Sequence, residues 1–194
     1  GKWVTPGIID IHSHMGVYAA PRVSTSSDGN ESTSPVTADV WAEHSMWVQD
    51  PQYALALRGG VTAFHVLPGS ANLIGGRGVT VKNLQRNTIN SMKFPNAPHS
   101  LKMACGENPK RVYGNRKQAP STRMGNAAGY RKSWIKAESY LRRQTEYEEK
   151  SDEAKELEYA PERDLEMDTL AGVLKGEILV HNHCYRADEM ATMI

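Results

Sequence analysis

Short apolar runs closed by glycine, proline or polar residues recur along the chain. Gly7-Ile8-Ile9-Asp10-Ile11 is compact, largely β-branched and preceded by Pro6, which predicts a buried strand. Val61 to Leu67 predicts a second strand, set off by Gly59-Gly60 and ended by Pro68-Gly69. Val79 to Lys82, Leu101 to Cys105 and Ile178 to His183 predict three more, the first of them after a glycine-rich loop over 70–78. Between them the period changes. Ala38 to Leu57 has helical character, broken near Asp50-Pro51. Residues 123–158 predict the longest helix, with Tyr130, Trp134, Ala137 and Leu141 on one face. Asp164 to Leu174 predicts another, and 188–194 the start of a last one. Residues 17–40, rich in Ser, Thr, Asp, Asn and Pro, predict a long loop, and loops of that length in compact domains are usually functional or mobile. Strands alternating with helices imply an α/β fold with a parallel sheet or barrel. No internal repeat is present.

Composition narrows the partners. The chain has 194 residues, with 23 Lys and Arg against 22 Asp and Glu, so its net charge gives no reason to expect nucleic acid or an anionic membrane surface as partner. The basic stretch over 131–143 is balanced by eleven acidic residues between Glu146 and Asp168, which read as a solvated helix face. No apolar run approaches the roughly 18 residues of a transmembrane helix, and no signal peptide opens the sequence. Cys105 and Cys184 are too few for a disulfide scaffold and leave the compartment undecided. Both ends run directly into predicted elements, so the expectation is a segment of a longer protein.

The chemistry concentrates at strand ends. His12 and His14 are two apart on a strand and so share a face, roughly 6–7 Å apart at Cα, a spacing that suits two nitrogen ligands of one divalent ion. Asp10 has the same parity and is a candidate to hold an imidazole. His181 and His183 close the last predicted strand, also on a shared face, where a third imidazole would come from. In the third candidate, a strand regular to Gly106 would place Glu107 on the bulkier face with Leu101, Met103 and Cys105, as an anionic ligand, and Lys102 on the opposite face with Ala104; a bulge at Gly106, or Glu107 capping the next turn, is the alternative. His44, His65, His99 and Cys184 read as structural. Gly75-Gly76-Arg77-Gly78 lacks the Lys-Ser/Thr of a phosphate loop.

These blocks together resemble the metal-dependent amidohydrolase superfamily, in particular its imidazolonepropionase-related branch. The resemblance is carried by Pro6-Gly7-Ile8-Ile9-Asp10-Ile11-His12-Ser13-His14, by Gly59-Gly60-Val61-Thr62 with Leu67-Pro68-Gly69-Ser70-Ala71-Asn72, by Met103 through Gly114, and by His183-Cys184-Tyr185-Arg186-Ala187-Asp188-Glu189-Met190. It implies a (β/α)8 TIM-type barrel, of which this chain supplies the first half to five strands, with a metal site at the C-terminal mouth. It implies His12, His14 and His183 as metal ligands, with Glu107 where some members place a carboxylate and others a carboxylated lysine. Arg186 is then a candidate for facing the substrate. The implied cofactor is one or two divalent ions, foremost Zn²⁺, and the implied reaction is hydrolysis of a C–N bond in a small amide, cyclic amide or amino-acid derivative.

The family's later histidine and its proton-shuttling aspartate have no counterpart here, so the general base is expected outside this chain and the chain alone is expected to hydrolyse little. Self-association or pairing with a complementary barrel half follows from unpaired strand edges. The alternative reading is a non-catalytic truncated barrel that serves as an interaction or assembly module.

Overall fold

The computed structural model describes residues 1–194 as one five-stranded sheet with six α-helices. The strands are β1 (Ile8–Ser13), β2 (Val61–Val66), β3 (Ile74–Lys82), β4 (Ser100–Ala104) and β5 (Leu179–His183), in spatial order β1-β2-β3-β4-β5. The helices are α1 (Gln52–Arg58), α2 (Glu107–Gly114), α3 (Arg123–Glu148), α4 (Asp152–Glu156), α5 (Leu165–Leu174) and α6 (Ala187–Met193). The sheet is curled like half a barrel. None of the helices is long and apolar enough to cross a membrane.

The sheet is mixed rather than parallel. β1 and β2 are parallel, as are β4 and β5, but β3 runs antiparallel to both of its neighbours. The reversal arises where the sequence predicts a glycine-rich loop: Ile74, Gly75 and Gly76 already belong to β3, which is nine residues long. Gly76 adopts φ +103, and a Cβ there would lie 2.4 Å from the Val40 carbonyl, so only glycine fits. Because β3 alone is reversed, the C-terminal ends of β1, β2, β4 and β5 meet at one end of the sheet.

Alternation then sorts the side chains. Phe64 and Val66 of β2 pair with Val81 and Val79 of β3, and this face packs on Tyr53 of α1. Leu101 and Met103 of β4 pack with Ile74 against Tyr130, Ala137 and Tyr140 of α3 and Met167, Leu170 and Ala171 of α5. The bulky face of the sheet therefore faces the helices, as in layered α/β folds. The opposite, concave face carries His65, Thr80, Ser100, Lys102, His181 and His183.

Three predicted elements differ. Residues 38–50 form only the 3-10 turn Ala42–His44, and α1 begins after Pro51, where the ring is tolerated at a helix start. The long helix over 123–158 divides at Glu149–Ser151, where Ser151 caps α4 through the Ala154 amide. Strand β1 is not buried: Ile8, Ile9 and Ile11 are 55–69% exposed, because β1 is the edge of the sheet.

The polar segment after β1 is irregular but pinned. The buried Asp50 carboxylate accepts hydrogen bonds from the amides of Gly16, Ala20 and Gln52 and from the Gln52 side chain. The Asn72 side-chain amide donates to the carbonyls of Glu31 and Ser34 and to the Thr37 hydroxyl. These bonds satisfy backbone groups that no regular element serves.

Candidate functional site

The ends of β1, β4 and β5, with Met190 of α6, build one cavity of about 400 Å³, lined by His12, Lys102, His181, Asn182, His183, Cys184 and Met190. His12 comes from β1 and its Nε2 lies 3.2 Å from the Lys102 Nζ. His14 follows β1 and meets His12 edge-on, with ring centroids 5.2 Å apart. Its Nδ1 lies 2.8 Å from the Leu67 carbonyl at the end of β2, so Nδ1 carries the proton and Nε2 keeps its lone pair. His183 ends β5. Its Nδ1 pairs with the Ser70 hydroxyl at 3.0 Å, and its Nε2 is buried without a hydrogen-bond partner. No three His, Cys, Asp or Glu donors converge closely enough to form a complete metal-binding group by themselves.

Burial outweighs the groups that favour protonation of the cavity's imidazoles, Glu189 beside His183 and Asp10 and the Leu67 carbonyl beside His14. Burial, followed by Lys102, lowers the pKa of His12, His181 and His183, and burial lowers that of His14. The imidazoles are therefore neutral at pH 7 and available as donors. Burial pushes the Lys102 amine down to about 8, and no carboxylate neutralises it.

The predicted residues separate into those that meet and those that do not. His12 and His183 line the shared cavity, and His14 touches His12. Glu107 does not join them. β4 ends at Ala104, and Glu107 opens α2, exposed and paired with Arg111 at 3.3 Å. The bulkier face of β4 is not the cavity face: Leu101, Met103 and Cys105 pack under the helices, which leaves Lys102 on the concave face. Asp10 does not hold an imidazole either. A register shift between Asp10 and Ser13 breaks the alternation, and the Asp10 carboxylate accepts from the His12 backbone amide instead. Arg186 is exposed, and its guanidinium is forked onto Asp188 at 2.9 and 2.6 Å while its amide helps cap α6.

The sequence reading places Lys102 on the face away from the site and does not single out Ser70. Lys102 had a usable signal, because an interior lysine two residues before a strand end needs a partner or a function. His65 is buried on the concave face, held by the Thr80 hydroxyl at 2.8 Å and the Ser100 hydroxyl at 2.6 Å. Cys105 and Cys184, 79 residues apart, are joined as a disulfide that ties the ends of β4 and β5 with Cα atoms 5.4 Å apart. The Cys105 amide also donates to the His183 carbonyl.

Burial of His65, reinforced by His181, depresses its pKa from 6.5 to about 4. The unfolded chain takes up this proton first as the pH falls. The stability contributed is complete above pH 6.5, declines towards pH 4, and amounts to about 3 kcal/mol. Chemical denaturation between pH 7 and 4 is expected to show a shallower pH dependence for His65→Gln than for the wild type. Parallel curves would contradict the assignment.

No family model matches the chain. Amidohydrolase tasK of Hapsidospora irregularis is 35% identical over 209 residues, covering 100% of this chain and 21% of that protein. The crystal structure of an amidohydrolase from Thermotoga maritima MSB8 superposes with a TM-score of 0.88 at 40% identity, covering 97% of this chain and 47% of that one. The chain thus spans about half or less of the relatives it matches.

Proposed function

We propose that this chain, a homologue of amidohydrolases along its whole length, forms the N-terminal part of a TIM-type barrel in a metal-dependent enzyme that hydrolyses C–N bonds of a small amide, cyclic amide or amino-acid derivative. The imidazolonepropionase-related branch is the proposed subgroup. The observation that carries the reading is the gathering of neutral imidazoles from β1 and β5 around Lys102 at the end of the sheet where β1, β2, β4 and β5 all terminate. Barrel enzymes place their chemistry at that end.

The donor set fits a divalent cation such as Zn²⁺. The His14 tautomer leaves Nε2 free, and the His183 Nε2 is buried and unpartnered, a state that a ligand relieves. His12, His14 and His183 would hold it, and when bound it supplies Lewis-acid polarisation of the scissile carbonyl and lowers the pKa of water towards 7. Leu67 and Ser70 orient two of these rings. Lys102 replaces Glu107 as the group proposed for the anionic position that the resemblance assigns to a carboxylate or a carboxylated lysine. Its amine adds to CO2, forming an N–C bond and releasing one proton, and becomes a carbamate anion. The general base is proposed to come from the remainder of a catalytic unit about twice this length.

A second reading, an interaction or assembly module, is favoured by one observation. Ile8, Ile9 and Ile11 on β1 and Leu179 and Val180 on β5 are exposed along the two unpaired edges of the sheet. In both readings the proposed occupant of those edges is a complementary barrel half. Elemental analysis separates the two. The hydrolase reading expects one or two zinc ions per chain after saturation and desalting; retention of no zinc would leave the module reading alone.

A further inference from the structure

Residues 17–40 form no helix or strand beyond the 3-10 turn Ser24–Ser26, yet one stretch of them is fastened to the segment after β2 that orients His14 and His183. Ser70, whose hydroxyl meets the His183 Nδ1, is bracketed on both sides by bonds to one dipeptide. The Gly69 amide donates to the Gly29 carbonyl at 2.7 Å, and the Ala71 amide donates to the Asn30 side-chain oxygen at 3.0 Å. The nitrogen of the same side chain donates to the Tyr18 hydroxyl. The Tyr18 ring in turn meets His14 edge-on, with centroids 5.7 Å apart. The approach is close enough to demand two glycines: a Cβ on Gly69 would overlap the Asn30 amide, and one on Gly29 would overlap the Tyr18 ring.

We propose that Asn30 is a positioning residue for the imidazole site: through Ala71 it fixes Ser70 and hence the His183 ring, and through Tyr18 it braces the His14 ring. A hydroxyl on an irregular segment orients an imidazole only where its backbone is held, and Gly29 and Asn30 hold that backbone on either side of Ser70. The residue type follows from the two partners. The Ala71 amide requires an acceptor while the Tyr18 oxygen receives a donor, and a side-chain amide supplies both. One side chain of the long polar loop thereby couples a histidine that follows β1 to a histidine that ends β5, which lie at opposite edges of the sheet. The role rests on the metal reading proposed above and adds what the loop does for it.

The test reads the imidazole ¹H–¹⁵N signals of the intact zinc-free chain and, separately, its zinc affinity by chelator competition. Asn30→Ala is expected to displace the His14 and His183 signals, to leave in place that of His65, which Thr80 and Ser100 hold, and to lower zinc affinity by roughly 10-fold or more. Asn30→Asp keeps an acceptor for the Ala71 amide and lets the Tyr18 hydroxyl donate, so it is expected to stay close to the wild type in both readouts. In Ser70→Ala the route to His183 is already cut, and adding Asn30→Ala there is expected to cost less affinity than in the wild type, by about threefold or more. Unmoved His14 and His183 signals in Asn30→Ala, or an equal displacement in Asn30→Asp, would overturn the role of Asn30. A displaced His65 signal would mark general loosening and overturn a specific role. Additive losses in the double variant would overturn the route through Ser70. Failure of the wild type to retain zinc would overturn the metal reading instead, and the zinc-free signals would still decide what Asn30 does.

Discussion

His183→Ala is expected to reduce zinc affinity by far more than Ser70→Ala. The first substitution deletes a proposed donor whose Nε2 is buried and unpaired, whereas the second deletes only the hydroxyl that orients its Nδ1. Loss of an orienting partner costs about 10–100-fold in metal affinity, so Ser70→Ala belongs in that range and His183→Ala beyond it. His12→Ala and His14→Ala are expected to match His183→Ala. The fold should tolerate all of them, since these side chains lie at strand ends and outside the two apolar clusters. Competition with a chromophoric chelator measures each affinity, and circular dichroism confirms the fold. Equal affinities for His183→Ala and wild type would remove β5 from the site.

Reduction of the Cys105–Cys184 bond carries the second large effect. The bond closes a span of 79 residues that includes α2, α3, α4 and α5, and it joins the ends of β4 and β5. By chain entropy, a crosslink of that span stabilises the folded state by about 4 kcal/mol. For a chain of this size that corresponds to a melting shift of roughly 10 °C. The double variant Cys105→Ser/Cys184→Ser should melt lower than the oxidised wild type by that amount and be insensitive to dithiothreitol. The wild type should fall to meet it once reduced, with two thiols appearing by titration. Coincident melting curves before and after reduction would contradict the account.

Much of this architecture is legible in the sequence, for reasons that can be assigned residue by residue. Ile8 to Ile11 and Val61 to Val66 are short runs rich in β-branched residues with clear punctuation, Leu179 to His183 follows the apolar Ile178 and the Gly176 break, and all three form strands close to their expected bounds. The histidine pairs at two strand ends were legible for the same reason, since a period of two fixes which neighbours share a face. β3 is obscured because glycines normally punctuate, and here Gly75 and Gly76 lie within the strand, Gly76 beneath Val40. Glu107 was misplaced because parity identifies two faces of β4 without saying which one the helices cover. That choice belongs to tertiary packing, where Tyr130, Tyr140 and Leu170 claim Leu101 and Met103 and turn Lys102 towards the histidines. Asp10 was misplaced by an irregularity in the β1–β2 register that no local pattern announces.

The pairing of Lys102 with His12 also shows how homology and geometry divide the work. Similarity to amidohydrolases supports the proposed hydrolysis of C–N bonds, while the geometry alone brings an amine rather than a carboxylate to the imidazoles. A buried lysine with no acidic neighbour is costly to retain, and the cost is intelligible if its head group becomes anionic in the working enzyme.

The account depends most on whether the histidines of β1 and β5 share one cation. X-ray diffraction from crystals soaked in zinc, recorded above and below the zinc absorption edge, tests this directly. An anomalous peak bonded to His12, His14 and His183 beside Lys102 is the predicted result. Zinc bound elsewhere, or no peak among these three rings at saturating zinc, would contradict it.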